Sequence, residues 1–127
     1  MKETTLVAIA GFALDIGGAM REAVPRFKAA NNGQGRGVVL NMASTAGVSP
    51  RPRLAWYNAS KGWVITATRA SAVELAPQGI RVNALNPVAG ETPLLATFMG
   101  EDTPEMRAKF LSTIPIGRFS TPEDLGN

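Results

Sequence analysis

The pattern of apolar and polar residues is most regular in the middle of the chain. Val38–Met42 is a short apolar run rich in branched side chains, which is typical of a buried parallel strand. From about Trp56 to Ala76 apolar residues recur at helical spacing, and Pro77 and Gly79 are expected to end this helix. Ile80–Asn86 alternates enough to predict a second strand. A strand, a long helix and a strand in this order predict a parallel βαβ unit with a right-handed crossover.

Residues 4–30 carry another apolar pattern, and here a helix is favoured over a strand. The apolar side chains between Leu6 and Phe27 follow helical spacing better than alternation, although Gly11, Gly17 and Gly18 interrupt the segment. We therefore expect this segment to be a helix that packs against the core.

Two helix starts are expected in the last quarter of the chain. Thr103-Pro104-Glu105 offers a capping hydroxyl, a proline for the first turn and an acid, and Ser120–Asp124 repeats this arrangement.

The amino-acid composition argues against several classes of function. The chain has 127 residues, which allows one small domain, and 45% of them are hydrophobic, as expected of a globular protein. It contains no cysteine and no histidine, so thiol chemistry and Ser-His-Asp triads are excluded, and the scattered carboxylates predict no metal site. The net charge of +3 comes from dispersed basic residues, which argues against nucleic-acid binding. With no long apolar span and no convincing signal peptide, no membrane partner is expected and the protein is predicted to be cytoplasmic.

The candidate chemistry lies between Ser44 and Lys61. Tyr57 and Lys61 are four residues apart, so on a helix they share one face. An unperturbed tyrosine has a pKa of about 10, and a neighbouring ammonium favours the phenolate, which suits a phenol for proton transfer nearer neutral pH. Ser44, just after the first predicted strand, adds a hydroxyl that can hold the same substrate oxygen. The set suits interconversion of an alcohol and a carbonyl.

This region resembles the short-chain dehydrogenase/reductase family. Tyr57 follows Ser44 by thirteen positions and begins a Y-x-x-x-K motif; V-V-L-N-M-A-S precedes it, and I-R-V-N-A-L-N-P and E-T-P follow in the family's order. The resemblance implies an α/β fold, a partial Rossmann-like doubly wound parallel sheet in three layers, across residues 1–127. It also implies an NAD- or NADP-dependent oxidoreductase in which Ser44, Tyr57 and Lys61 are catalytic, acting on a small alcohol or carbonyl.

The resemblance also implies which residues bind the cofactor, and it shows that one residue of the family's site is missing or displaced. P-V-A-G-E-T-P resembles the family segment along the nicotinamide ring, so Pro87, Val88, Gly90 and Thr92 would join Tyr57 and Lys61 in binding the cofactor. The family also has a helical asparagine that helps hold a relay water. Its two alternative positions are Phe12 and Ala8, and no asparagine occurs before Asn31, so this member is missing or displaced.

The resemblance is to the catalytic second half of a longer enzyme. The family's Gly-rich cofactor loop and its last strand are absent from this sequence, so we expect a sheet truncated at both ends, weak cofactor binding and association or poor folding of the isolated chain. Family members often pair the long helix with its twin, so a homo-oligomer is expected. The alternative to an active oxidoreductase is therefore a non-catalytic, oligomerising fragment of one.

Overall fold

The computed structural model describes residues 5–8, 13–30 and 36–126. The chain divides into two compact units, Met1–Asn86 and Pro87–Asn127. The first unit holds the parallel sheet and its two long helices, and the second holds three shorter helices. Among the described residues, no helix has both the length and the apolar character needed to cross a bilayer.

The first unit is built on a parallel sheet in the order β1-β2-β3. The strands are β1 (Thr5–Ala8), β2 (Gly37–Met42) and β3 (Ile80–Leu85). Thr5 of β1 pairs with Val38, and Gly37 of β2 pairs with Ile80. Helix α1 (Ala13–Ala29) connects the first pair of strands, and α2 (Ala55–Leu75) connects the second. This arrangement confirms the predicted α/β class and the parallel βαβ unit around α2.

The prediction of a helix over residues 4–30 is wrong at its start, because Thr5–Ala8 forms β1 and α1 begins at Ala13. A short apolar run cannot be assigned by periodicity alone, and this one is a strand because it pairs with β2, more than thirty residues away. Of the two positions considered for a relay asparagine, Ala8 is therefore on a strand, and Phe12 lies outside the described residues.

Helices α1 and α2 pack on the same face of the sheet. Together they form one of the two helix layers of the predicted three-layer arrangement. Two clusters of buried side chains fill this interface: Ile16, Ala43, Val64 and Ile65 in one, and Phe27, Val39, Leu75, Ile80 and Val82 in the other. The end of α2 agrees with its sequence. A 3₁₀ turn, Ala76–Gln78, contains Pro77, and Gly79 follows it in the left-handed region at φ 69°.

The second unit contains α3 (Leu94–Met99), α4 (Pro104–Leu111) and α5 (Pro122–Gly126). Its core consists of Ala89, Leu95, Met99, Ile114 and Phe119. Both predicted helix starts are confirmed. The Thr103 hydroxyl accepts from the Met106 N–H at 3.2 Å, and the Asp124 carboxylate accepts from the Thr121 N–H at 2.8 Å, which caps α5.

Candidate active site

Ser44 stands two residues beyond the carboxyl end of β2, the edge of a parallel sheet where α/β proteins bind their ligands. The strand end is fixed because the Ala43 N–H donates to the Leu85 carbonyl at 2.9 Å. Ser44 caps a 3₁₀ turn, Thr45–Gly47, and its Oγ accepts from the Ala46 N–H at 3.2 Å. A hydroxyl that accepts one hydrogen bond still has its own hydrogen to donate, so the buried Ser44 can serve a substrate oxygen.

Tyr57 and Lys61 lie one turn apart in the first half of α2, as their spacing predicts. The Lys61 Nζ is 5.8 Å from the centre of the Tyr57 ring, which places the ammonium beside the aromatic ring. Tyr57 is half-buried, whereas Lys61 is only 7% exposed. The structure therefore brings a phenol and a buried cation together on one helix face.

Lys61 is held by a backbone atom. Its Nζ donates to the Met42 carbonyl, the last of β2, at 2.9 Å. Burial lowers the pKa of Lys61 below its usual 10.5, since a charged ammonium is poorly solvated there. Within the described part of the chain this carbonyl is its one hydrogen-bond acceptor, and an ammonium has three N–H groups. The other two remain available to a ligand.

The turn after Ser44 touches the helix at Lys61 itself. A Cβ placed on Gly47 would come within 2.7 Å of the Lys61 carbonyl carbon and 2.8 Å of the Gly62 nitrogen. Only glycine allows such a close approach between two backbones. The turn that Ser44 caps and the helix turn that carries Lys61 are thus in direct contact.

The loop between this turn and α2 is also tied to the helix. The Asn58 Nδ2 donates to the Arg51 carbonyl at 2.8 Å. Arg53 has φ 64°, in the left-handed region that non-glycine residues seldom occupy. Outliers of this kind persist where surrounding structure imposes them, and they are common near binding sites. This loop leads directly into the turn of α2 that carries Tyr57.

The predicted cofactor residues Pro87, Val88, Gly90 and Thr92 all belong to the second unit. Gly90 forms a bridge with Ser120, and the Thr92 N–H donates to the Gly90 carbonyl at 2.8 Å, so the segment makes a tight turn. Val88 is exposed and its backbone is outside the positive-φ region, so the valine occupies this position without backbone strain. The structure therefore groups these four residues with one another in a single segment.

Sequence reasoning missed two features of the site. One is the Met42 carbonyl as the acceptor for Lys61, and no residue type signals a backbone acceptor. The other is a buried hydrogen bond from Asn41 Nδ2 to Thr68 Oγ1, 2.9 Å long, between β2 and α2. An asparagine inside the otherwise apolar run Val38–Met42 was the available signal for it.

Comparison with known proteins identifies the family. A family model described as "Enoyl-(Acyl carrier protein) reductase" matches residues 12–127. The chain is 54% identical over 95 residues to 4-formylbenzenesulfonate dehydrogenase TsaC1/TsaC2 of Comamonas testosteroni, and 44% identical over 92 residues to a protein of Xanthobacter autotrophicus named inactive 2-(S)-hydroxypropyl-CoM dehydrogenase 2. These matches cover 74% and 71% of this chain, but only 38% and 40% of the relatives' own lengths.

A solved structure agrees with these matches. The 3-ketoacyl-(acyl-carrier-protein) reductase of Brucella melitensis, crystallised with NADH, is 51% identical and superposes with a TM-score of 0.76. The superposition covers 87% of this chain and 42% of the reductase, which has the Rossmann fold of its family. The chain therefore belongs to the short-chain dehydrogenase/reductase family of oxidoreductases.

Proposed function

We propose that this chain carries the proton-transfer centre of a nicotinamide-dependent oxidoreductase that interconverts an alcohol and a carbonyl. The observation that supports it best is the placement of Lys61, buried, bound to the Met42 carbonyl and beside the Tyr57 ring. A lysine with a merely structural role would be expected to extend its charge into water, as long basic side chains usually do.

Tyr57 is the acid and base in this proposal. In the oxidation direction the substrate hydroxyl gives its proton to the Tyr57 oxygen as the carbonyl forms, and in reduction the proton returns. The Ser44 hydroxyl donates a hydrogen bond to the same substrate oxygen and stabilises the charge that develops on it. The Lys61 Nζ, 5.8 Å from the centre of the Tyr57 ring, places a positive charge beside this phenol.

The cofactor is NAD or NADP. The two unused N–H groups of Lys61 fit the hydroxyl groups of a nicotinamide ribose, and Tyr57 lies beside them. Pro87, Val88, Gly90 and Thr92 would contact the nicotinamide end. When bound, the nicotinamide would exchange the hydride with the substrate carbon. The NADH-bound Brucella reductase supports a nicotinamide cofactor for this family.

Turnover with NAD, NADP and their reduced forms, against a panel of aldehydes, ketones and alcohols, tests this assignment. Tyr57→Phe should lower kcat by about 10²- to 10⁴-fold, because it removes the transferable proton with little change in volume. Ser44→Ala should be damaging and Ser44→Thr much less so. Ser112→Ala, at an exposed serine of the second unit, is the matched control and should leave kcat unchanged. Activity of Tyr57→Phe within a few-fold of wild type would refute the assignment.

A second candidate is a non-catalytic, oligomerising protein without cofactor binding. It is favoured by the 44% identity to a relative that is itself named inactive. A fluorescence titration with NADH and NADPH separates the two candidates, since only the oxidoreductase requires saturable binding. Saturation that is weakened in Lys61→Met, but not in the exposed-lysine control Lys109→Met, would support the enzyme.

Both candidates include self-association, for which α2 offers a face. Exposed residues recur along it at alternating spacings of three and four, as at the seam between paired helices. Trp56 is 89% exposed and Val73 is 78% exposed, with Trp63 between them. The other members are small: Ala59, Thr66 and Ala70. We propose that a second copy of the chain covers this face.

Light scattering across a concentration series tests the association. The double variant Trp63→Glu, Val73→Lys should shift the protein towards monomer, because charges would enter an apolar contact. Ile116→Lys changes an equally exposed apolar residue of the second unit and should leave the mass unchanged. An unchanged mass for the double variant would show that α2 is not the contact.

A further inference from the structure

A buried polar pair joins β2 to α2 inside the apolar interface. Asn41 is 1% exposed and Thr68 is 6% exposed, and the Asn41 Nδ2 donates to the Thr68 Oγ1 at 2.9 Å. The residues around them in the two helix–sheet clusters, such as Val39 and Val64, are apolar. We call these two residues the Asn41–Thr68 pair.

Stability does not explain the Asn41–Thr68 pair. The Asn41 Oδ1 is buried and has no hydrogen-bond partner in the described part of the chain. A buried polar atom without a partner destabilises the fold, whereas two apolar side chains of the same shape could replace such a pair at little or no cost. A role other than stabilisation is therefore needed to account for polar residues here.

The position of the pair indicates that role. Asn41 directly precedes Met42, whose carbonyl holds the Lys61 ammonium. Thr68 is eleven residues beyond Tyr57 and seven beyond Lys61, and at 3.6 residues per turn all three lie on one face of α2. The hydrogen bond therefore joins the strand and the helix face that both carry the proposed proton-transfer site.

A hydrogen bond between these residues fixes the position of α2 on β2, which apolar contacts alone leave adjustable. Apolar side chains attract without direction, so α2 could slide or rotate slightly on β2 and still bury similar area. A donor and an acceptor in a dry interface must meet at one distance and angle. If the helix shifted, the Asn41 amide and the Thr68 hydroxyl would both be left unpaired, and Lys61 would move relative to the Met42 carbonyl.

We propose that the Asn41–Thr68 pair is a positioning device that sets the register of α2 on β2, and so places Lys61 and Tyr57 relative to Ser44. This inference rests on the proposed function for its effect on turnover, but its structural half is independent of it. Neither residue touches the reacting atoms; both act through the helix.

The variants follow from the geometry. Thr68→Val removes the hydroxyl and keeps the shape, and Thr68→Ser keeps the hydroxyl. The double variant Asn41→Leu, Thr68→Val replaces the whole pair with apolar groups of similar size, so it should fold even where Thr68→Val leaves an unpaired amide and is unstable. Thermal unfolding is measured for each. Ser71→Ala removes another hydroxyl of the same helix, outside the pair, and is the matched control.

The first readout is the NMR titration of the Lys61 ε-methylene group, which requires no activity. In wild type and in Thr68→Ser the midpoint should lie below the ordinary lysine value. In the double variant it should move upward, because a displaced ammonium regains contact with water. A double variant that melts like wild type and keeps the wild-type Lys61 midpoint would overturn the positioning role.

The second readout is turnover. We expect kcat of the double variant to fall by about 10- to 100-fold with KM little changed, while Thr68→Ser and Ser71→Ala stay within a few-fold of wild type. Wild-type kcat in the double variant would also overturn the inference. If wild type itself shows no turnover, the proposed function fails, and the Lys61 titration alone decides the role of the pair.

Discussion

Gly47 provides the sharpest test of how the site is assembled. In Gly47→Ala the new Cβ would lie 2.7 Å from the Lys61 carbonyl carbon, 2.8 Å from the Gly62 nitrogen and 2.9 Å from the Ile65 Cδ1. Two of these three neighbours are backbone atoms of α2, which a side-chain rotation cannot move away. The turn and the helix would have to separate by several tenths of an ångström to reach ordinary contact.

The magnitude follows from the packing. Inserting a methyl group into a filled interface typically costs about 1–3 kcal/mol. In a domain of this size each kcal/mol lowers the melting temperature by about 4–8 °C, so we expect a loss of at least about 4 °C. The separation also moves Ser44 away from Lys61, and a misplacement approaching 1 Å can lower a rate by about 100-fold.

Gly62 supplies the matched control, because it faces the same contact from the helix side. Among the residues that the structure describes, a Cβ at Gly62 would meet only the Gly47 carbonyl oxygen, at an ordinary 3.6 Å. Since alanine favours the interior of a helix over glycine, Gly62→Ala should raise stability by about 0.5–1 kcal/mol. Circular dichroism during heating measures both variants. A Gly47→Ala protein as stable as wild type, or a Gly62→Ala protein that loses stability, would refute this account of the contact.

Two further predictions concern pH. Because burial lowers the pKa of Lys61 in the folded state, the unfolded chain binds more protons between that lowered value and 10.5, so Lys61 makes stability rise with pH through this window. Urea unfolding at several pH values in this window measures the effect. The free energy of unfolding should no longer show this rise with pH in Lys61→Met and should still show it in Lys109→Met. Equal slopes of stability against pH in the two variants would contradict a buried ammonium. Hydrogen bonds from Arg118, and then from the Thr121 N–H, hold the pKa of Asp124 well below its usual 3.8. Its contribution is therefore present above about pH 3.8 and lost as pH falls towards the lowered value, so Asp124→Asn should melt below wild type at pH 7 and approach it in acid. Glu123→Gln is the control, and a difference between wild type and Asp124→Asn that persists in acid would contradict the assignment.

The sequence was informative wherever local signals act. Helix α2 was predicted from Trp56 to Ala76 and runs from Ala55 to Leu75, because Pro77 and Gly79 mark its end. The start of α4 was predicted from a capping hydroxyl, and the Thr103 side chain makes that bond. The proximity of Tyr57 and Lys61 could be predicted from the helical repeat alone.

Features that depend on distant partners were not predictable in this way. Thr5–Ala8 is a strand only because β2 pairs with it, and nothing within those four residues distinguishes them from the helix that follows. The acceptor for Lys61 is a carbonyl nineteen residues earlier in the chain, and Asn41 and Thr68 are 27 residues apart. Such contacts are set by how α2 lies on the sheet, which the local pattern does not encode.

The use of the Met42 carbonyl to hold Lys61 bears on how this site tolerates mutation. Every amino acid supplies the same carbonyl, so replacement of the Met42 side chain leaves the acceptor chemically intact. The vulnerable point is one residue further on. Ala43→Pro would delete the N–H that ties this strand end to Leu85, and with it the support that keeps the carbonyl in place. The residue at position 42 can therefore vary, whereas position 43 requires a residue with a backbone N–H to donate.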